Sequence, residues 1–276
     1  MTFGFAKVGE ETPVGLPTLE RYEMKYVVPV EWIGPISAFA EAYCALDWHS
    51  AQGEAGFYQV NSLYLDSPNF DFLKMRLGGA SDRFNMRVRS YGERPRPPYF
   101  LEVKRKQGDI IRKYRARVTD PDLERMLDPA VDIAPFLAVP GDEGSAALFR
   151  RLVHAYGAVP VVMTGYRRKA YVSHCDEYAR LTFDIGLRYR AESGYRPFAV
   201  EEGTAPTDVE TLFDDGPGTI LELKCYAKFV PLWMVDLVRS FGLRRRGFSK
   251  YSAGMAKAFG HYAYDAGDRR AKGWDV

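Results

Sequence analysis

Six segments of this chain carry charged or polar side chains at every second position, a spacing that a β-strand turns into one face. Arg21, Glu23 and Lys25 alternate with Tyr22, Met24 and Tyr26, while Arg83, Asn85, Arg87 and Arg89 alternate with Phe84, Met86 and Val88. Glu102, Lys104 and Lys106 alternate with Leu101 and Val103, and Lys113, Arg115 and Arg117 with Tyr114, Ala116 and Val118. Arg180, Thr182 and Asp184 repeat the pattern against Leu181, Phe183 and Ile185, and Glu222 and Lys224 against Leu221, Leu223 and Cys225. A single strand of this kind is ordinarily a sheet with one solvated face. Six of them, all with Arg or Lys and three with Glu, predict a narrower arrangement. Arg forks bind phosphate oxygens in pairs and keep their charge, and carboxylates set among them stay ionised and suit Mg²⁺ or Mn²⁺. If the charged faces line a barrel wide enough to stay wet, helices cover its apolar outside.

The remaining punctuation fits that plan. Strand-like runs are expected at 21–28, 57–65, 84–91, 99–106, 110–118, 159–172, 179–189, 198–201 and 219–226, and helical spacing at 31–43, 70–75, 146–156, 230–241 and 251–259. Gly92-Glu-Arg-Pro-Arg-Pro-Pro and Gln107-Gly-Asp separate three consecutive strands as turns, which reads as a meander. No internal repeat or linker divides the chain. The expected fold class is α+β: one antiparallel β-barrel tunnel of about eight strands with helices packed on the outside, spanning 17–262 between a loose leader (1–16) and a polar tail (263–276).

Net charge is only +2, yet Arg83 to Arg117 holds twelve Lys/Arg against Glu93, Glu102 and Asp109, an excess of nine that leaves about −7 for the rest. A concentrated positive region in an otherwise acidic chain implies an anionic ligand at a defined place. Cys44, Cys175 and Cys225 are too scattered for a disulfide framework or a zinc site, and no signal pattern or membrane-length apolar run is present, so a cytoplasmic protein is expected. The four histidines lack ligand spacing, Gly78-Gly79 lacks a following Gly-Lys-Ser/Thr, and Trp233 and Met234 read as core. Arg244-Arg245-Arg246 reads equally as a nucleic-acid patch or a tunnel rim; no nucleic-acid recognition motif accompanies it, and no nucleic-acid partner is expected.

Arg21-x-Glu-x-Lys-Tyr26, Ser62-x-Tyr-x-Asp66, Arg87-x-Arg-x-Tyr91, Glu102-x-Lys104, Arg180-x-Thr-x-Asp184, Leu221-Glu-x-Lys224 and Phe248-Ser-Lys-Tyr251 together resemble the VTC domain, the polyphosphate polymerase domain of the triphosphate tunnel metalloenzymes, whose superfamily also holds the CYTH triphosphatases. The resemblance covers roughly residues 18–260. It implies transfer of the γ-phosphoryl of ATP to growing inorganic polyphosphate, with Mn²⁺ or Mg²⁺ and with room for a separate membrane protein partner. Carried over by motif, Arg87, Arg89, Lys104, Arg168, Arg180 and Lys250 act on the transferred phosphoryl, and Lys25, Arg115, Lys224 and Tyr91 bind substrate. Glu222 is then the chief metal ligand, with Glu23 and Glu102 as further carboxylates. Two positions depart from the pattern. Arg21 stands where CYTH members carry the first Glu, which favours polymerase over triphosphatase, and Gly247 replaces a Lys found in several VTC domains. A triphosphatase on the same barrel and a non-catalytic polyphosphate-binding module are the alternatives.

Overall fold

The alternation of charge and apolar side chains sorts the sheet into an inner and an outer face. In the computed structural model, which describes residues 21–108, 110–120, 122–195 and 218–259, the strands are β1 (Arg21–Pro29), β2 (Cys44–Leu46), β3 (Tyr58–Asp66), β4 (Asp82–Tyr91), β5 (Tyr99–Gln107), β6 (Ile110–Val118), β7 (Val159–Ser173), β8 (Ala179–Ala191) and β9 (Gly218–Tyr226). They form one antiparallel sheet in the order β1-β9-β8-β7-β3-β4-β5-β6, with β2 added to the end of β7. The helices are α1 (Ile33–Ala40), α2 (Trp48–Ala51), α3 (Asp71–Leu77), α4 (Leu123–Leu127), α5 (Glu143–Tyr156), α6 (Leu232–Ser240) and α7 (Lys250–Phe259). The expected strand at 198–201, the leader and the tail lie outside the described residues.

The apolar parity of each strand meets helices. Met86, Val88, Leu101, Val103, Ala116 and Val118 pack with Met126 of α4 and Phe149 and Val153 of α5. Tyr26, Val28, Leu181, Phe183, Leu221 and Leu223 pack with Ile36 of α1 and Trp233, Met234 and Leu237 of α6. Both layers belong to the outside, as the alternation predicts.

What makes the other face an interior is a contact between distant strands. β1 and β5 stand six places apart in the sheet order, which in a flat sheet means roughly 29 Å at the usual strand spacing. Yet Lys104 Nζ of β5 donates to Glu23 Oε2 of β1 at 2.8 Å. The sheet therefore curls until its two ends face each other across a charged lumen. Hydrogen bonding between β1 and β6 does not complete the ring; their edges are covered separately, which removes the usual hazard of an open edge. Arg245 bridges to Tyr26, and Arg246 N donates to Lys25 O at 2.8 Å. On β6, Ala138 N donates to Arg117 O at 2.8 Å, and Asp142 accepts from Arg117 N at 2.8 Å.

One helix departs from the outer layer. Tyr251 of α7 stacks on Tyr64, whose hydroxyl accepts from Arg87 of the charged face, and donates to Asp66 at the end of β3. Asp66 also accepts from Phe72 N at 2.9 Å and Leu73 N at 3.0 Å, so one buried carboxylate caps α3 and anchors α7. A Cβ on Gly254 would meet the Tyr189 ring at 2.8 Å, so α7 needs glycine there to seat against β7 and β8. With Phe248, Leu187, Tyr189 and Val162, this helix fills one end of the lumen with apolar side chains.

Candidate functional site

The first station is built on β4, β5 and β6, whose register aligns Arg87 with Glu102 and Glu102 with Arg115. Arg87 Nε and Nη2 each reach Glu102 Oε2 at 2.7 Å, while Arg115 Nε (2.8 Å), Arg115 Nη2 (2.7 Å) and Lys113 Nζ (3.1 Å) share Oε1. Burial opposes ionisation of Glu102, but the charges of Arg87, Arg89, Lys113 and Arg115 hold its carboxyl well below the usual range. The same crowding acts in reverse on Lys113. Burial first, and then the neighbouring guanidiniums, press its ammonium down to about 7 despite Glu102.

A second station joins β1, β9 and β5. Lys25 Nζ lies 3.1 Å from Glu23 Oε1 and 3.7 Å from Glu222 Oε1, and donates to Phe248 O at 3.1 Å. Lys224 Nζ stands 3.2 Å from Glu222 Oε2. The two carboxyls of Glu23 and Glu222 are diagonal neighbours across the β1–β9 ladder and share Lys25. Burial disfavours the Glu23 anion, yet the charges of Lys104, Lys25 and Lys224 hold its carboxyl well below its ordinary value.

The third station lies on β7, β8 and α7. Asp184, fully buried, takes both forks of Arg168 at 2.7 and 2.8 Å and Lys250 Nζ at 2.6 Å. Arg168 also stands 3.8 Å from Glu222, which links this station to the second. Arg89 is held by Tyr166 OH at 3.3 Å and Ser62 Oγ at 3.4 Å, and Lys250 sits 4.7 Å above the Tyr166 ring.

A VTC domain matches residues 20–259 of this chain. The chain belongs to that family. Subunit 4 of the vacuolar transporter chaperone complex of Trypanosoma brucei is 22% identical over 90% of this chain, which spans about a third (35%) of that relative's length. Among solved structures, a candidate adenylate cyclase from Bacillus halodurans is similar over 83% of this chain and 95% of its own, with 10% identity and a TM-score of 0.45. A candidate adenylyl cyclase from Hippeastrum, described as having a dominant triphosphatase activity, covers 86% and 96%, with 14% identity and a TM-score of 0.43.

In this VTC domain, eleven of the thirteen residues expected from sequence (Lys25, Arg87, Arg89, Lys104, Arg115, Arg168, Lys224, Lys250, Glu23, Glu102 and Glu222) fall in the three stations. Arg180 and Tyr91 stand apart. Arg180 shares the inward parity of Asp184 but pairs with Asp47 at 3.6 Å, and Tyr91 stacks on His49 with ring centroids 4.9 Å apart. Arg117, counted among the alternating charges, instead grips Asp142 beside the sheet edge. The sequence reading gave no role to Asp184, Lys113 or Tyr166, although the first two lay in plain view on the alternating face. Arg76 of α3 had no such signal. Its guanidinium feels the charges of Arg83 and Glu23 and donates to Ser252 at 3.1 Å, so a helix outside the strand pattern adds a cation beside the lumen. A surface cavity of about 360 Å³, lined by Leu127, His154 and Tyr195 among others, lies against α4 and α5 on the outer layer, away from all three stations.

Proposed function

We propose that this chain is a polyphosphate polymerase that moves the γ-phosphoryl of ATP onto an inorganic polyphosphate end inside the lumen. One observation carries the reading. Ten inward cations, the Arg and Lys residues assigned above to the stations together with Arg180 and Lys113, share only five carboxylates: eight of them meet Glu23, Glu102, Asp184 or Glu222, Arg180 meets Asp47, and Arg89 is held by Tyr166 and Ser62. Such an interior is stable only because the carboxylates hold the cations in place, and an entering phosphate chain replaces that partial compensation with full neutralisation.

Phosphoryl transfer asks a protein mainly for positioning and charge neutralisation. Glu102 keeps Arg87, Arg115 and Lys113 converged before an anion arrives, so their remaining N–H donors are pre-aimed at phosphate oxygens. Asp184 does the same for Arg168 and Lys250 across the lumen. An acceptor phosphate is already anionic near neutral pH and needs no general base.

Glu23 and Glu222 fit Mn²⁺ or Mg²⁺: they are adjacent hard-oxygen donors, and no third His, Cys, Asp or Glu completes a ligand set among the described residues. Such ions are held by one or two carboxylates together with phosphate oxygens and water. When bound, the ion neutralises triphosphate charge. Glu102 serves instead as counter-charge, since both its oxygens are taken by guanidiniums. Arg21 supports polymerase over hydrolase. Its guanidinium lies 4.3 Å from the Tyr178 ring centroid, stacked at the surface, and brings no carboxylate to this strand position. Incubation with ATP and Mn²⁺, resolved on a gel, tests the assignment: a polymer ladder is expected, whereas free phosphate alone identifies a hydrolase and no product a binding module.

A further inference from the structure

A tunnel that served phosphate alone would need no aromatic surface, because a phosphate chain has no apolar face. Yet the end of the lumen formed by the start of β3 and the end of β4 carries a connected group of rings. Tyr58 begins β3, Tyr91 ends β4 and Phe100 lies near the start of β5, so the antiparallel pairing brings all three to one mouth. Each shares the parity of a station residue: Tyr58 with Ser62, Tyr91 with Arg89, and Phe100 with Glu102. His49 of α2 closes the group, lying 25° from parallel with Tyr91 at 4.9 Å and 5.1 Å from Tyr58. Trp48 abuts His49 at 4.9 Å and is 69% exposed.

Two contacts join this mouth to the cationic lumen, one of them to a station. Arg115, which grips Glu102, also lies 5.0 Å over the Phe100 ring. Asp47, which caps α2 by accepting from Ser50 N at 2.8 Å, is paired with the inward Arg180. Ser50 Oγ in turn accepts from Ala170 N of β7 at 2.8 Å, so the turn bearing Trp48 and His49 is fixed to the barrel wall. The result is a cationic channel that ends in a rigid ring-lined lip with one indole left open.

We propose that this lip seats the planar base of the nucleoside triphosphate, stacked against Trp48 and the His49–Tyr91 pair while the triphosphate enters the stations. The inference rests on the polymerase reading for its donor and adds the half of that donor which the charged stations do not address. Burial lowers the His49 pKa, so its ring is offered uncharged near neutral pH, as stacking on a base suits. All bases have a π-face, so the lip favours nucleotides over bare phosphates without choosing sharply among bases.

The test titrates the full chain, and its Trp48→Ala and His49→Ala variants, separately with ATP and with inorganic tripolyphosphate. Trp48→Ala is expected to weaken ATP roughly tenfold, the effect of losing one base–aromatic stack, with tripolyphosphate affinity unchanged. His49→Phe should restore what His49→Ala loses. Equal weakening of both ligands, or of neither, overturns the proposal. The two readings fail separately. A protein that makes polymer while both Ala variants bind ATP normally has no base site, whereas one that binds ATP through Trp48 without making polymer has the base site but not the polymerase activity.

Discussion

Glu102 and the Glu23–Glu222 pair line the same lumen, yet their surroundings are opposite in character. Around Glu102 the partners are mainly guanidiniums, fixed in pairs on each oxygen and permanently charged. Around Glu23 and Glu222 they are mainly ammoniums, Lys25, Lys104 and Lys224, with Arg168 only at 3.8 Å. An ammonium is a point charge on a flexible stem and moves aside for a divalent ion, whereas a bidentate guanidinium holds its shape and its place. The comparison gives the proposed function its division of labour: one carboxylate fixed by guanidiniums to organise phosphate-binding cations, and two held by movable ammoniums as the proposed metal donors.

The largest effect expected from this division is at Glu222. Glu222→Gln keeps the size but removes the anionic oxygen that a hard cation prefers. Turnover should collapse by roughly 100-fold or more, as for loss of a key electrostatic contact. Excess Mn²⁺ should restore part of it, while polyphosphate binding in chelator holds or tightens. A Mn²⁺ titration of turnover checks this, and near-normal activity at low metal would remove Glu222 from the site.

Next is Arg87→Ala. Losing one charge-assisted contact to the transferring phosphoryl costs about 2–4 kcal/mol of barrier, or about 30- to 1000-fold in rate. Arg115 and Lys113 still hold Glu102 Oε1, but Oε2 loses both of its contacts, so the melting temperature should fall, though less than in Glu102→Gln. Kinetics and thermal melts on one preparation separate the two, and wild-type turnover would mean that the Glu102 station does not touch the reacting phosphate.

Glu102→Gln breaks the comparison most directly. Removing one partner from a buried ionic group costs about 3–5 kcal/mol of stability, so this variant should melt well below wild type. Its Mn²⁺ requirement should nevertheless match wild type. A shifted metal requirement here, and none in Glu222→Gln, would exchange the roles assigned to the two carboxylates.

The smallest effect is a pH dependence at Lys113. Its ammonium, pressed down to about 7, is charged below that value and largely neutral above it. A bound phosphate favours the charged form, so binding takes up a proton and affinity should fall as pH rises above 7. Lys113→Arg stays charged and should flatten the slope. Equal slopes for the two proteins would show that Lys113 does not meet the polymer.

The period-two charges were enough to read the strands, their inward parity and the outer helices, because alternation is a local property of extended backbone. They also named eleven residues of the three stations, with help from the motif order, but gave no role to Asp184, Lys113 or Tyr166. Short elements escaped. β2, α2 and α4 have three to five residues, too few for any period to be visible. The sequence did not show where the parity of β8 changes beyond Asp184. Gly186, at φ 58°, absorbs an extra residue of β8 where the β7–β8 register shifts, so Leu187 and Tyr189 turn inward although Asp184 points the same way. On β7 it is Arg168, not the adjacent Arg167, that meets Asp184. Arg76, the inward seating of α7 and the mouth formed by Trp48, His49 and Tyr91 depend on how far the sheet curls. Pattern fixes which side of a strand a residue takes; only the curling of the whole sheet, which brings Lys104 to Glu23, decides which residues from distant strands meet.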